Sequence, residues 1–194
     1  RLVKMEYHDI KERIKTRTNF AFFIEDVAEM AKRNNCVEVK NESFHTESTN
    51  RQHTTTVTLF EYMIGNTDWA VPLYRNIKLI RNEEDSSSRP FVVPYDFDYS
   101  GMVNAGYAIP VPELKISSVR ERKYLGFGRT MGELQAALDP FRTQRKLMDS
   151  LITGFAPLQL KYKKEMTRYL NDFFNIVSKE KEIRNAFIYD AKKE

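Results

Sequence analysis

Leu158, Tyr162, Met166, Tyr169, Leu170, Phe173 and Val177 recur three and four residues apart, the spacing that gathers apolar side chains on one face of an α-helix. A stripe this long and aromatic is stable in water only against other apolar faces, so it requires a helix-packed core in the C-terminal part of the chain. The N-terminal part has a different period. "RLVKMEY" and "TNFAFFI" are rich in aromatic and branched residues and predict two strands, joined by the polar connection "HDIKERIKTR". The two patterns together predict an α+β fold.

Between these ends the patterns are shorter. "EDVAEMAKRN" predicts a short helix that stops near Asn34 and Asn35, and residues 41–56 are polar and poorly patterned, predicting a loop into the helix "TVTLFEYMIG". "NIKLIR" and "FVVPY" predict two strands of a hairpin across "NEEDSSSRP", which carries turn chemistry and charge. The remainder reads as helical. Ser118 with Glu121, and Thr130 with Glu133, have capping-box spacing, and Pro140 is expected to begin or break a helix through "FRTQRKLMDSLI". "GFGRTMG" at 126–132 has the wrong spacing for a phosphate-binding loop and no strand before it, and is taken as a turn between helices.

Composition excludes several classes of function. Thirty-one basic and 27 acidic residues leave a net charge of +4, too mild and too mixed in sign to argue for nucleic-acid binding. The single cysteine, Cys36, rules out an internal disulfide and a cysteine-rich zinc site, and His8, His45 and His53 have no ligand-like spacing. They read as surface or loop residues. No apolar run has the length of a membrane span. The opening residues already alternate like a strand, so a fragment of a longer protein is expected; the compartment stays open, secreted or periplasmic included.

Chemistry concentrates in residues 60–101. Asp68 follows a helix and the triplet Gly65-Asn66-Thr67, Asn76 opens the first hairpin strand, and Asp96 and Asp98 close the second. A hairpin returns the end of its second strand to the start of its first, which places Asn76 and Asp96 together. An amide oxygen and carboxylates in one place suit Mg²⁺, which takes hard oxygen ligands and keeps waters or phosphate oxygens in its remaining positions. Asp68 is then placed to orient or deprotonate an attacking hydroxyl. Taken without Asp68 and Asn76, the Asp96 and Asp98 pair reads as a turn in which carboxylates cap backbone amides.

The order Asp, Asn, then Asp-Phe after a hairpin resembles the catalytic segment of the protein-kinase-like superfamily, closest to the CotH spore-coat kinases and more distantly to HipA-type kinases. "IGNTDW…RNIKLI" is similar to their Asn-x-Asp…Asn run, "VPYDFDYSG" to their Pro-aromatic-Asp-x-Asp segment, and "FFIEDVAEMAKR" to the CotH segment at the hinge between lobes. Proteins of Bacteroidetes with the same "GNTDW" and "VPYDFDYSG" words are similar as well. The resemblance covers roughly residues 20–101.

It implies that residues 1–40 are a small-lobe remnant with a hinge-like segment, and that residues 41–194 are a helical large lobe carrying the catalytic hairpin. It also implies ATP and Mg²⁺ as cofactors, a protein hydroxyl as phosphoacceptor, and specific roles for residues. Asp68 becomes the catalytic aspartate, Asn76 and Asp96 the metal ligands with Asp98 as a further one, and Ile24 and Glu25 the hinge positions whose backbone holds adenine. The departures are Trp69 where HipA-type proteins usually have histidine, eight positions from Asp68 to Asn76, and neither a glycine-rich phosphate loop nor a strand lysine. Two other readings stay open, a pseudokinase-type binding module without turnover and a metal-dependent hydrolase using the same carboxylates. Trp69 and the aromatic stripe Tyr169, Phe173, Phe174 read as packing residues.

Overall fold

The computed structural model of the chain describes residues 2–40 and 42–192. Strand β1, Leu2–Tyr7, pairs antiparallel with β2, Arg17–Phe22, with Leu2 opposite Phe22 and Tyr7 opposite Arg17. The expected start of this ribbon at Arg1 lies outside the described residues. Both faces of the ribbon are open, and only Val3 and Ala21 are half-buried. Helix α1, Val27–Lys32, begins where Asp26 caps it, its carboxylate accepting from the amides of Ala28 at 2.9 Å and Glu29 at 3.4 Å. This satisfies two of the amides that a helix start leaves without intrahelical partners.

A second sheet has the order β3-β4-β5 and is antiparallel throughout, from β3 (Cys36–Glu38), β4 (Ile77–Asn82) and β5 (Phe91–Pro94). The expected hairpin is its β4–β5 half, with Ile77 opposite Pro94. β3 is an addition to the expected elements. Its three residues pair with the far end of β4 and bring Cys36 beside Ile80 and Ala31 of α1.

Helix α2, Arg51–Ile64, lies between this sheet and the helices that follow. It starts five residues before the expected position. Asn50 caps it, its side chain accepting from the His53 amide at 3.0 Å, and His53 is a helical residue whose ring meets the Val92 carbonyl at 2.8 Å, not a loop residue. One face of α2 sends Val57 against Trp69, Val71, Ile77, Leu79 and Val92, while another sends Leu59, Tyr62 and Met63 into the helical core. α2 ends at Gly65, whose φ of 69° is the left-handed conformation that glycine adopts without a Cβ penalty. No helix of the described residues is long and apolar enough to cross a membrane.

The C-terminal part consists of α3 (Met131–Gly154), α4 (Leu160–Val177) and α5 (Glu180–Arg184), the last running into a π-helical turn, Asn185–Tyr189. Tyr169, Leu170, Phe173, Phe174 and Val177 of α4 are buried as their spacing requires. They meet Leu134, Leu138 and Phe141 of α3, Ile183 of α5 and Phe187. Pro140 lies inside α3 and neither begins nor ends it. Pro140 and Ala136, whose carbonyl loses its helical partner, are both exposed, so the carbonyl is not left without a partner in a dry core. The helical expectation fails from Asp96 to Gly128. That stretch is irregular apart from one short 3-10 turn, Pro112–Leu114, and an isolated bridge between Phe127 and Lys192. Ser118 and Glu121 cap no helix; the Glu121 carboxylate accepts from the Ser117 amide and hydroxyl, both at 3.1 Å, inside a loop. Gly126–Gly132 accordingly joins this loop to α3, not helix to helix.

The second capping box is real. Glu133 Oε2 accepts from the Thr130 amide at 2.8 Å, the Thr130 hydroxyl accepts from the Glu133 amide at 3.3 Å, and Arg51 Nε donates to Glu133 Oε1 at 2.6 Å. The arginine and the amide hold the Glu133 carboxyl down at about 2. A depressed folded pKa stabilises the fold above the unfolded value and is lost as pH falls through the folded one. Glu133→Gln is therefore expected to flatten the acid limb of stability between about pH 4.5 and 2, while Thr130→Ala costs about 1 kcal/mol at neutral pH. Urea unfolding across that range measures both, and an unchanged acid limb in Glu133→Gln would contradict the assignment.

Candidate functional site

The loop from Asp68 to Asn76 is closed by a two-residue bridge. Ala70 and Arg75 exchange backbone hydrogen bonds, each at 3.0 Å, so the chain leaves Asp68, turns over Pro72–Tyr74 and returns beside it. The return needs left-handed backbone at Tyr74 (φ 50°) and Asn76 (φ 50°). Asparagine tolerates that region, and tyrosine does so at a steric cost. The eight-position spacing is thus compatible with contact. Asn76 Nδ2 donates to the Asp68 carbonyl at 2.8 Å and to Asp68 Oδ2 at 3.0 Å.

The second half of the site follows β5. The Tyr95 amide donates to the Asn76 carbonyl at 3.0 Å, which continues the β4–β5 ladder by one residue and sets Asp96 directly after it. Asp96 has φ 58°, so the chain reverses there and leads Asp98 back toward the same place. The Asp96 carboxyl is pushed up, first by partial burial, then by a hydrogen bond with Asp98 and by the negative charges of Asp98 and Asp68. Asp98 also accepts from the Tyr107 hydroxyl at 2.8 Å, and that bond raises the Tyr107 hydroxyl in turn. Three carboxylates therefore share one electrostatic environment. Arg75 stands against them, its Nη1 3.8 Å from Asp68 Oδ1 with both side chains partly exposed, a contact worth little in water.

Asp68, Asn76, Asp96 and Asp98 are thus brought together. Ile24 and Glu25 lie apart, in the connection between β2 and α1. Ile24 is exposed, and the Glu25 carboxylate is held by Arg33, with Nε to Oε1 at 2.9 Å. Among the described residues no group of three or more His, Cys, Asp and Glu side chains is placed to hold a metal ion by itself. The donor set nevertheless fits Mg²⁺, which is commonly bound through one or two carboxylates plus phosphate and water. Burial is the first cause of the raised Asp96 carboxyl, and the charges of Asp98 and Asp68 that add to it are ones a cation there would offset.

Two residues beneath the site escaped the sequence. Asn66 is buried, and its Oδ1 accepts from the Asp68 amide at 3.1 Å, fixing the backbone that carries the carboxylate. Glu61, one helical turn back, is also buried, with both carboxylate oxygens unpartnered among the described residues. The available signal was its position. It lies four residues after Val57 and three before Ile64, on the buried side of a helix.

The segments after α2 and after β5 are also joined to each other. The Gly101 amide donates to the Gly65 carbonyl at 3.0 Å and the Met102 amide to the Ile64 carbonyl at 2.9 Å. A Cβ at either glycine would overlap the Tyr169 hydroxyl. The Arg122 guanidinium lies 3.7 Å from the Tyr169 ring centroid and donates to the Met63 and Tyr169 carbonyls. Compared with known proteins, the chain matches no family model, no curated protein and no solved structure.

Proposed function

We propose that the protein transfers a phosphoryl group from ATP to a protein hydroxyl with the help of Mg²⁺, in the manner of CotH-like kinases. The observation that carries this reading is the pair of hydrogen bonds from Asn76 to Asp68 within one cluster with Asp96 and Asp98. Asp96, Asp98 and the Oδ1 of Asn76 would hold the cation, which would neutralise phosphate charge. Asp68 would accept the proton of the attacking hydroxyl as its oxygen bonds to the γ-phosphorus and the bond to the departing ADP breaks. Ile24 and Glu25 would offer backbone groups to adenine.

A nucleotide-binding module without turnover is the second reading, favoured by the Arg75 guanidinium standing against Asp68, the group that has to act as base. A thermal-shift series with ATP, with and without Mg²⁺, tests the binding step that both share. ATP is expected to raise the melting temperature only when Mg²⁺ is present, and Asp96→Asn to abolish the rise because it removes charge from the cation's ligands. An equal shift without Mg²⁺, or an equal shift in Asp96→Asn, would remove the metal site. Radiolabel transfer then separates the kinase from the module without turnover.

A further inference from the structure

The end of α2 and the turn that follows it are joined through Glu61. Its carbonyl accepts from the Gly65 amide and, at 2.8 Å, from the Asn66 amide. Glu61 and Asn66 are each 1% exposed. Their side chains are near enough for Asn66 to draw the Glu61 carboxyl back toward its ionised form. Neither side chain is fully used there, since both Glu61 carboxylate oxygens and Asn66 Nδ2 are buried without a hydrogen-bond partner among the described residues. The other end of the Asn66 amide is occupied, its Oδ1 accepting from the Asp68 amide at 3.1 Å. An acid, a side-chain amide and the backbone of Asp68 thus follow one another as a chain.

We infer that Glu61 is a positioning residue for Asp68 and acts through Asn66, accepting from Asn66 Nδ2 so that the amide oxygen stays turned to the Asp68 N–H. The inference rests on Asp68 being the general base of the proposed transfer. An asparagine amide donates at one end and accepts at the other, so only one orientation serves Asp68. Reversed, it would set Nδ2 against the Asp68 N–H, donor against donor. An apolar side chain at position 61 would leave Nδ2 buried without a partner, a cost the amide escapes only by rotating away from Asp68. Burial pushes the Glu61 carboxyl up to about 8, so at neutral pH an uncharged acid holds Asn66 and no buried charge has to be stabilised. Asn66 is the side chain that acts on Glu61, while Arg122, Tyr169 and Asp190 act on the neighbouring Tyr62. When Glu61 ionises, its charge strengthens the bond from Nδ2, and polarisation along the chain makes Oδ1 the better acceptor. The Asp68 amide therefore reports the state of Glu61, which a role in packing alone does not produce.

The test follows the Asp68 amide by NMR in isotope-labelled protein as pH rises through the Glu61 carboxyl value. Its proton signal is expected to move downfield with a midpoint at about pH 8. In Glu61→Gln, which keeps an acceptor oxygen and does not titrate, the signal should stay in place, with circular dichroism checking that both proteins remain folded. Catalysis supplies the second arm. Glu61→Met removes the acceptor at similar volume and should lower kcat roughly tenfold or more with ATP affinity unchanged, because a displacement of about 1 Å costs on the order of 10²-fold. Glu61→Gln, with its amide oxygen in place, should restore kcat. The proposal fails if the Asp68 amide does not respond in the wild type, or if the same midpoint persists in Glu61→Gln. It fails also if Glu61→Met turns over like the wild type, and should that variant not fold, the amide titration decides alone. If no form transfers phosphate, the wild type included, Asp68 is not a base and the proposed function falls, while the titration still decides whether Glu61 sets the Asp68 backbone.

Discussion

Replacing Glu61 by glutamine is expected to make the protein more stable than the wild type at pH 8 but not at pH 4. Glu61 is 1% exposed, and burial pushes its carboxyl up to about 8, with the nearby Asn66 side chain lowering it only in part. The native state therefore keeps a proton that the unfolded chain releases above about pH 4.5. A group raised in this way gives its full stability below the unfolded value, and loses it as pH rises through the folded one. Between about pH 4.5 and 8 the wild type should lose stability at up to about 1.4 kcal/mol per pH unit from this residue, a few kcal/mol in all. Glutamine keeps the shape and removes the titration, so the two stability curves should diverge steadily across that interval. Urea unfolding at closely spaced pH values reads the divergence directly. Parallel curves would mean that Glu61 reaches a partner or water in solution.

The second large effect is kinetic. Asp68→Asn should lower the turnover of phosphoryl transfer by roughly 10²- to 10⁴-fold, the usual range for removing a general base. Nucleotide binding should change little, because the change leaves the amide oxygen able to accept from Asn76 Nδ2, as Oδ2 does now at 3.0 Å. The lost contact with Arg75 at 3.8 Å is partly exposed and worth at most about 1 kcal/mol of stability. Calorimetry and radiolabel transfer on the same preparation separate the two roles, since Asp96→Asn loses binding while Asp68→Asn keeps it. Equal loss of binding in both variants would show that Asp68 holds the cation and is not the base.

The hairpin and its polar residues were legible because their signals are local. Alternating apolar residues define β4 and β5, and the pairing of Ile77 with Pro94 then sets Asn76 and Asp96 near each other. The α4 stripe was legible for the same reason, as a period that only one conformation satisfies. The start of α2 was hidden by threonines. Thr54, Thr55 and Thr58 are all buried, with Thr55 and Thr58 donating to carbonyls four residues back at 2.7 and 2.8 Å. Hydroxyls satisfied in this way occupy a core face while the sequence reads as a polar loop.

β3 is too short to show a period, and its place depends on pairing with β4 more than forty residues along the chain. Ser118 and Glu121 have the spacing of a cap without a helix to cap, because loop hydrogen bonds use the same groups. Glu61 and Asn66 were missed because polar residues beside a turn look solvated until the tertiary fold encloses them. The α+β class was thus readable from periodicity, and the nearness of Asn76 and Asp96 from the hairpin, but the buried groups beneath them only from packing.

The two glycine contacts with Tyr169 have a mechanical consequence. Gly65 precedes Asp68 by three residues and Gly101 follows Asp98 by three, and both backbones are seated on one side chain of α4. The Gly101 and Met102 amides tie the two segments to each other, and the Arg122 guanidinium clasps the same ring. The acids consequently do not ride on two independent loops. Both segments share Tyr169 of the eighteen-residue α4 as their seat, so a change of that one side chain meets the backbone three residues before Asp68 and three residues after Asp98 at once.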